Sequence, residues 1–474
     1  MDQQQSTQHM SVHFGKKSFF TVVGILFAIV IAIGILTYVI PAGEYPLDEN
    51  GKIVGEFQTI ASADTRLPVW RWFTAPFEAL VLGQGNMNII QVMALLLILG
   101  GTFKVLDKSG GLVAMVKVVI EPFFRHRYLA IWIITLIIML LSAIFGLQEQ
   151  LLILFPVFMM LAKAMTWSNV TAISLILITS GVGFTTAILN PFTIGTAAQL
   201  AGVPVTSGIG FRLIIFASMY VVTSLFLVFM AKSDERKATE KPDISQFVII
   251  SEDERAEQKH IALLIAILFG VAFGVLILAI TIPFIAKLNI SMILMGAAFI
   301  VGTVIIGRML LGSFRVMGKA FLRGMIDVSP SVVIIMIAFS VKYIADNGKI
   351  LHTIFHYFYE AITQTTPYVA VLLLYLFVLI VDFFIPSAST KAVLLIPLLT
   401  LAEIPGISVN MILLTYLFAD GYTNVLFPTC GTLVVGLGLA EVSYVQWVKK
   451  TIVFQLLMLV LSVGFLMIGL AVGI

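Results

Sequence analysis

The chain has 474 residues, of which 60% are apolar and only 11% charged, with a formal net charge of +3. A soluble domain carries about 25% charged residues and about 45–50% apolar ones. The composition therefore excludes a water-soluble enzyme, a nucleic-acid binder and a disordered chain, and leaves an all-α polytopic membrane protein with little mass outside the bilayer. The single cysteine, Cys430, excludes a disulfide framework and a cysteine-based zinc site.

Residues 1–17 form a polar tail ending in Lys16-Lys17. The apolar run 18–40 is long enough to span a bilayer and reads as a retained first crossing, since it is longer than a signal peptide's apolar core and leads into Pro41-Ala42-Gly43-Glu44. Further crossings are expected at 88–106, 169–204, 210–231, 261–282, 288–306, 331–346, 410–437 and 451–472. With the first, these make about nine. Two longer stretches, 128–165 and 368–402, are interrupted by polar tips at Gly146-Leu147-Gln148-Glu149-Gln150 and Pro386-Ser387-Ala388-Ser389-Thr390-Lys391. They read as re-entrant hairpins, or as paired crossings with the same parity.

Between 232 and 260 lie 14 charged residues. This linker divides a first half, 18–231, from a second half, 261–474. The bases group at Lys104, Lys108, Lys117, Arg125 and Arg127, at Arg308, Arg315, Lys319 and Arg323, and at Lys449 and Lys450. With these and the linker on the cytoplasmic side of the cell membrane, the N-terminus is cytoplasmic and the loop 41–87, richer in acids, is outside.

The halves repeat at a separation of roughly 240 residues. Phe103-Lys104-Val105-Leu106 matches Val341-Lys342-Tyr343-Ile344, Tyr128-Leu129-Ala130 matches Tyr368-Val369-Ala370, Gly183-Phe184-Thr185 with Pro191 matches Gly421-Tyr422-Thr423 with Pro428, and Leu200-Ala201-Gly202-Val203 matches Leu439-Ala440-Glu441-Val442. An odd number of crossings between matched segments makes the repeats inverted, a hallmark of secondary transporters.

Backbone can leave the helix at membrane depth only where it is buried in protein or lines a watery cavity. Four segments do so by sequence: the two tips, the stretch Asn190-Pro191-Phe192-Thr193, and the stretch Asp420-Gly421-Tyr422-Thr423-Asn424 with Pro428 and Thr429. One pair per repeat predicts a single central site. The candidate substrate- and ion-binding residues are Glu149 and Gln150 at the first tip, Asn190, Pro191 and Thr193 at the first break, Ser387, Ser389 and Lys391 at the second tip, and Asp420, Thr423, Asn424 and Thr429 at the second break. For Lys391 three roles stay open: pairing with Asp382, pairing with Asp420, or meeting a substrate carboxylate or occupying a cation's place. Lys104 and Lys342 read as helix-end residues reaching for the interface, and Trp70 and Trp72 as interface anchors. Cys430 reads as packing. His352 and His356 read as a stripe on an interfacial helix at 349–362 rather than a metal site. No metal site and no cofactor is expected, beyond a coupling proton or sodium ion.

Phe384-Ile385-Pro386-Ser387 with Ser389, Asp420-Gly421-Tyr422-Thr423-Asn424 with Pro428-Thr429, and Asn190-Pro191-Phe192 together resemble the DcuC/YfcC family, which covers C4-dicarboxylate carriers and basic amino-acid antiporters. The likeness runs from about 18 to 472. It implies a dimerising scaffold domain, a transport domain with two opposed hairpins and two unwound helices, and elevator-like movement. The chain departs from the pattern at both tips. Glu149-Gln150 stands where relatives often carry two acids, and Lys391 and Asp382 replace a glutamine and an asparagine. An acid and a base have appeared together, which suggests an internal pair and weakens any carry-over of sodium coupling.

The expected function is secondary active transport of a small amino acid or carboxylate, arginine/ornithine-type exchange being one version. The runner-up is a C4-dicarboxylate or monocarboxylate carrier coupled to protons or sodium, and an ion channel is the alternative of another class. Expected partners are a small-molecule substrate, the lipid bilayer and a second copy of the chain, with no nucleic acid.

Overall fold

The computed structural model describes residues 16–46, 55–61, 66–83, 86–112, 114, 118, 126–238, 252–282, 284–285, 290–401, 404 and 406–474. Most of the N-terminal tail, which the sequence reading places in the cytoplasm, the middle of the charged linker, Lys117, Arg125 and the loop acids Asp48, Glu49 and Asp64 lie outside them. The described residues are overwhelmingly helical, and their strands are a two-residue pair, β1 (Gly43–Glu44) and β2 (Gln58–Thr59), paired antiparallel. Among the described residues nine helices are long and apolar enough to cross a membrane, so the protein is an all-α, multi-pass membrane protein.

Membership of that set differs from the sequence reading. The first arms of both interrupted stretches, Arg127–Phe145 and Pro367–Phe384, qualify by length, whereas the segment after Val409 is interrupted; the expected first crossing lies within the 24-residue helix Lys16–Val39. The crossing expected at 331–346 is the C-terminal half of a continuous 34-residue helix, Phe314–Asn347, that runs through Pro330. Helical hydrogen bonds do not need apolar side chains, so Arg315, Lys319 and Arg323 extend the helix. At 1.5 Å per residue it is about 50 Å long, more than a hydrocarbon core of about 30 Å.

The helices gather into two bundles. The first contains α1 (Lys16–Val39), α2 (Val69–Leu82), α3 (Asn86–Lys108), α9 (Glu252–Thr281), α10 (Ser291–Leu311) and α11 (Phe314–Asn347). Its axis is the α3–α11 contact, where backbones meet through glycine: a Cβ on Gly324 would lie 2.1 Å from the Gly100 carbonyl oxygen. Trp72 is buried here, edge-on to Tyr38 at 5.9 Å, while Trp70 is exposed, so only Trp70 is available as an interface anchor.

The second bundle contains α4 (Arg127–Phe145), α5 (Phe155–Ala164), α6 (Asn169–Thr186), α7 (Thr196–Leu200), α8 (Ile209–Lys237), α13 (Pro367–Phe384), α14 (Ala388–Leu401), α15 (Val409–Thr423), α16 (Gly431–Leu439) and α17 (Tyr444–Ala471). At its centre α6 and α15 are buried on all sides, which is why neither shows an amphipathic stripe. Both open on a serine cap: Ser168 accepts from the Thr171 N–H at 3.3 Å and Ser408 from the Met411 N–H at 3.1 Å. The charged stretch after 231 is helical at both ends, because α8 runs to Lys237 and α9 begins at Glu252. There Glu235 accepts from Arg127, Tyr128 and Trp167, and Asp234 from Ser168 and Thr171.

The bundles meet mainly where α11 packs on α16. The amphipathic helix α12 (Ile350–Thr363) bridges them and carries the strand pair. On it His352 Nδ1 accepts from the Tyr45 N–H at 3.1 Å, His356 Nδ1 lies 3.0 Å from the Tyr45 hydroxyl, and Phe57 stacks on His356 at 4.3 Å. The two histidines therefore hold the preceding loop.

Candidate functional site

The four sequence interruptions converge. At the first tip α4 ends on Gly146, whose φ of 69° favours glycine, and a Cβ there would lie 2.4 Å from Asn190 Oδ1. That contact ties the first tip to the first break. α6 stops at Thr186, and the backbone N–H groups of Leu189 and Asn190 then donate to the Ala143 carbonyl at 2.9 and 3.0 Å. Asn190 Oδ1 caps the following π-turn, Pro191–Gly195, by accepting from the Phe192 N–H at 2.9 Å. Asn190 and Thr193 are fully buried. They and Pro191 shape the break beneath the tip and do not line the cavity.

The second tip is the non-helical Ile385-Pro386-Ser387 between α13 and α14, and the second break follows Thr423 at the end of α15. Side chains of α17 satisfy the freed carbonyls. Trp447 and Gln455 donate to the Val425 oxygen at 2.8 and 3.1 Å, and the Tyr444 hydroxyl donates to the Leu426 oxygen at 2.7 Å. Sequence reasoning missed these three residues. The signal for them was a polar and aromatic set on one face of an otherwise apolar helix. Thr423 Oγ1 donates to the Asp420 carbonyl at 3.0 Å, and the buried Thr429 hydroxyl has no partner among the described residues. Asn424 reaches across, its Nδ2 donating to Gln148 Oε1 at 3.1 Å.

A cavity of about 480 Å³ lies between the bundles. Of the expected site residues, Glu149, Gln150, Ser387, Ser389 and Asn424 line it; Gln148, Cys430 and Thr432, which the sequence reading left out of the site, line it too. Cys430 thus faces the cavity, with Sγ 3.5 Å from Asn424 Oδ1. Glu149 is exposed to the cavity, and among the described residues its carboxylate makes no hydrogen bond or ion pair. Beside it the Gln148 Nε2 is buried with no acceptor among the described residues. The N-terminus of α16, at Gly431 and Thr432, also lines the cavity and carries no side-chain cap. From the first bundle come Lys104 and Lys342, which are ion-paired rather than reaching for the interface: Lys104 lies 3.6 Å from Asp327 and Lys342 3.5 Å from Asp346.

Lys391 sits one layer behind the tip. Its ammonium pairs with both carboxylates left open by the sequence, Asp420 at 2.7 Å and Asp382 in closer contact. It also lies 5.2 Å from the Tyr416 ring centroid. Lys391 and Asp420 are 0% exposed and Asp382 1%, so this triad is sealed off.

A solute-sized cavity at the junction of interrupted helices, inside a multi-pass helical protein, defines a membrane transporter. The family model of the C4-dicarboxylate anaerobic carrier, DcuC, matches residues 19–471, and the chain belongs to this family. It is similar to a protein of Escherichia coli K12 named "Putative basic amino acid antiporter YfcC", 24% identical over 390 residues covering 79% of this chain and 76% of that one. It is also similar to an uncharacterised protein of Haemophilus influenzae, 22% identical over 375 residues covering 77% and 72% of the two chains. Among solved structures it resembles the YdaH transporter of Alcanivorax borkumensis (TM-score 0.45, 16% identity, covering 96% of this chain and 98% of that one). It further resembles MtrF of Neisseria gonorrhoeae, described as one of a class of antimetabolite efflux pumps (TM-score 0.44, 14% identity, 94% of both chains).

Proposed function

We propose that the protein is a secondary transporter of a small amino acid bearing an extra cationic group, working by alternating access, with the cavity as its binding site. The observation that carries this reading is the carboxylate of Glu149, unpaired among the described residues, facing the cavity while Lys391 is consumed by Asp382 and Asp420. A free carboxylate attracts an amino or guanidino group and repels a dicarboxylate. The substrate's own carboxylate finds the Gln148 amide and the uncapped N-terminus of α16, whose dipole favours an anion. Ser387 and Ser389 at the second tip add hydroxyls. The relative named for basic amino acid antiport supports the same class.

Movement follows from the division into two bundles, which share the cavity between them. In this reading the second bundle carries the solute past the first in an elevator-like step, the N-terminus is cytoplasmic, and the chain works as a homodimer in the cell membrane. The family's C4-dicarboxylate description favours a second reading. For a dicarboxylate the cavity would have to free Lys104 or Lys342 from Asp327 or Asp346.

Counterflow in proteoliposomes tests the two readings. Vesicles loaded with arginine, lysine or ornithine should take up the labelled amino acid by exchange, and succinate- or fumarate-loaded vesicles should not. Exchange of dicarboxylates alone would overturn the proposal and favour the second reading. Ohmic flux with no saturation would indicate a channel.

A further inference from the structure

We propose that the buried Asp382–Lys391–Asp420 triad is a proton-binding site, holding one exchangeable proton on its carboxylates in addition to those of the Lys391 ammonium. Its three members come from three elements that meet behind the second tip: Asp382 from the last turn of α13, Lys391 from the first turn of α14 and Asp420 from the end of α15. Two carboxylates thus share one ammonium where exposure is at most 1%. Lys391 Nζ donates to Asp420 Oδ1 at 2.7 Å. Among the described residues, Asp420 Oδ2 and both oxygens of Asp382 accept no hydrogen bond of normal geometry. With both acids ionised the triad carries one uncompensated negative charge inside a bilayer-spanning bundle, which is costly enough that the group is neutralised instead.

The other titratable groups around it do not supply the missing charge. Tyr416, on α15, donates its hydroxyl proton to the Ala388 carbonyl at 2.5 Å. Cys430 lies at the entry to α16, and Glu149, from the first tip, is a further acid rather than a cation. Among the described residues Lys391 is the one cation paired with either carboxylate. A proton is the smallest ligand that closes the balance: an O–H bond forms on Asp382 or Asp420 when it binds, and the same bond breaks when it leaves for water. Binding the proton stands on the triad alone. Only its role as the coupling ion rests on the carrier reading above.

The test uses infrared difference spectroscopy of the full chain in lipid nanodiscs, in normal and heavy water, with no solute present. The wild type should show the C=O stretch of a protonated carboxylic acid, shifted in heavy water. Asp382→Asn and Asp420→Asn each leave a neutral pair and should lose the band. Glu149→Gln should keep it. Lys391→Met leaves two acids without an ammonium and should strengthen it. Absence of the band in the wild type overturns the proposal whether or not any variant folds. Loss of the band only in Glu149→Gln assigns the proton to the tip and equally overturns it. If the band behaves as expected while amino-acid exchange fails, the proton site stands and the substrate reading falls.

Discussion

Glu149 and Lys391 are charged residues at the two hairpin tips, and the fold treats them in opposite ways. Lys391 lies behind the tip between two carboxylates, whereas Glu149 faces the cavity with no partner among the described residues. A hydrogen bond to a charged group contributes about 1.5–3 kcal/mol, so Glu149→Gln should weaken binding of a basic amino acid roughly 10- to 100-fold with little change in melting temperature. Isothermal titration of the purified protein checks this, and unchanged affinity would remove Glu149 from the site. A second residue-scale prediction concerns His352, which lies outside the candidate spans. Burial makes it harder to protonate than its ordinary value of 6.5, and its Nδ1 must keep a lone pair to accept from Tyr45. The folded state then binds fewer protons than the unfolded chain below pH 6.5. The contact's stabilisation is present above that pH and is lost as pH falls through the lower folded value. The protection factor of the Tyr45 amide, its exchange rate corrected for the intrinsic pH dependence, should fall over that acidic range, and His352→Gln should remove this change. The acids and bases at the tips were legible as residues, because charges are rare in apolar runs. Which of them paired was not, since Asp382, Lys391 and Asp420 meet only when three separate helices are assembled.

Elements were most legible where proline and glycine interrupt an apolar run. Asn190-Pro191 and Ile385-Pro386-Ser387 break helices in the structure, where the proline lacks a backbone donor. Pro330, by contrast, sits inside a continuous helix. Proline alone does not decide an ending; the neighbours that accept or supply the freed hydrogen bonds do. Glycine has a comparable tertiary meaning at Gly421, where α15 crosses α6. A Cβ there would lie 2.1 Å from both the Thr185 amide nitrogen and its Oγ1. Backbone cannot yield as a side chain end can, so Gly421→Ala should cost at least the roughly 1–3 kcal/mol of ordinary overpacking. Gly270 in α9 is exposed with nothing within 4 Å of an added Cβ, and Gly270→Ala should be neutral or stabilising by about 0.5–1 kcal/mol. Thermal melting of the two variants in one detergent checks both signs.

At the scale of the whole molecule, the cavity exists because two bundles touch along a limited front, α11 against α16. Ile335 and Gly431 mark that front: an added Cβ on Gly431 would lie 3.8 Å from Ile335 Cγ1. Joining them should stop movement between the bundles. Ile335→Cys with Gly431→Cys, in a Cys430→Ser background, should form an oxidant-induced cross-link that abolishes exchange and is reversed by reductant. Transport that continues in the cross-linked protein would show that the bundles do not slide at this contact. A complementary clamp holds the second bundle together. Glu235 accepts from Arg127 at 2.8 Å, Tyr128 at 2.6 Å and Trp167 at 2.9 Å, so Glu235→Ala should lower the unfolding free energy by about 1.5–3 kcal/mol, read as a fall in melting temperature with the solute affinity retained.

By itself the amino-acid sequence determined that this chain lives in a bilayer, that its helices break at four points, and which family it resembles. Those properties depend on local composition and on backbone chemistry confined to a few residues. Only the tertiary structure decided that Lys391 is locked between Asp382 and Asp420, that Asn190 and Thr193 lie buried beneath the first tip, and that Gln148, Cys430 and Thr432 share the cavity with Glu149. In lipid the apolar helix faces are nearly interchangeable to the solvent around them, so sequence hydropathy cannot rank their partners. Close packing at glycines such as Gly324 and Gly421, and the need to satisfy each buried polar atom, select one arrangement.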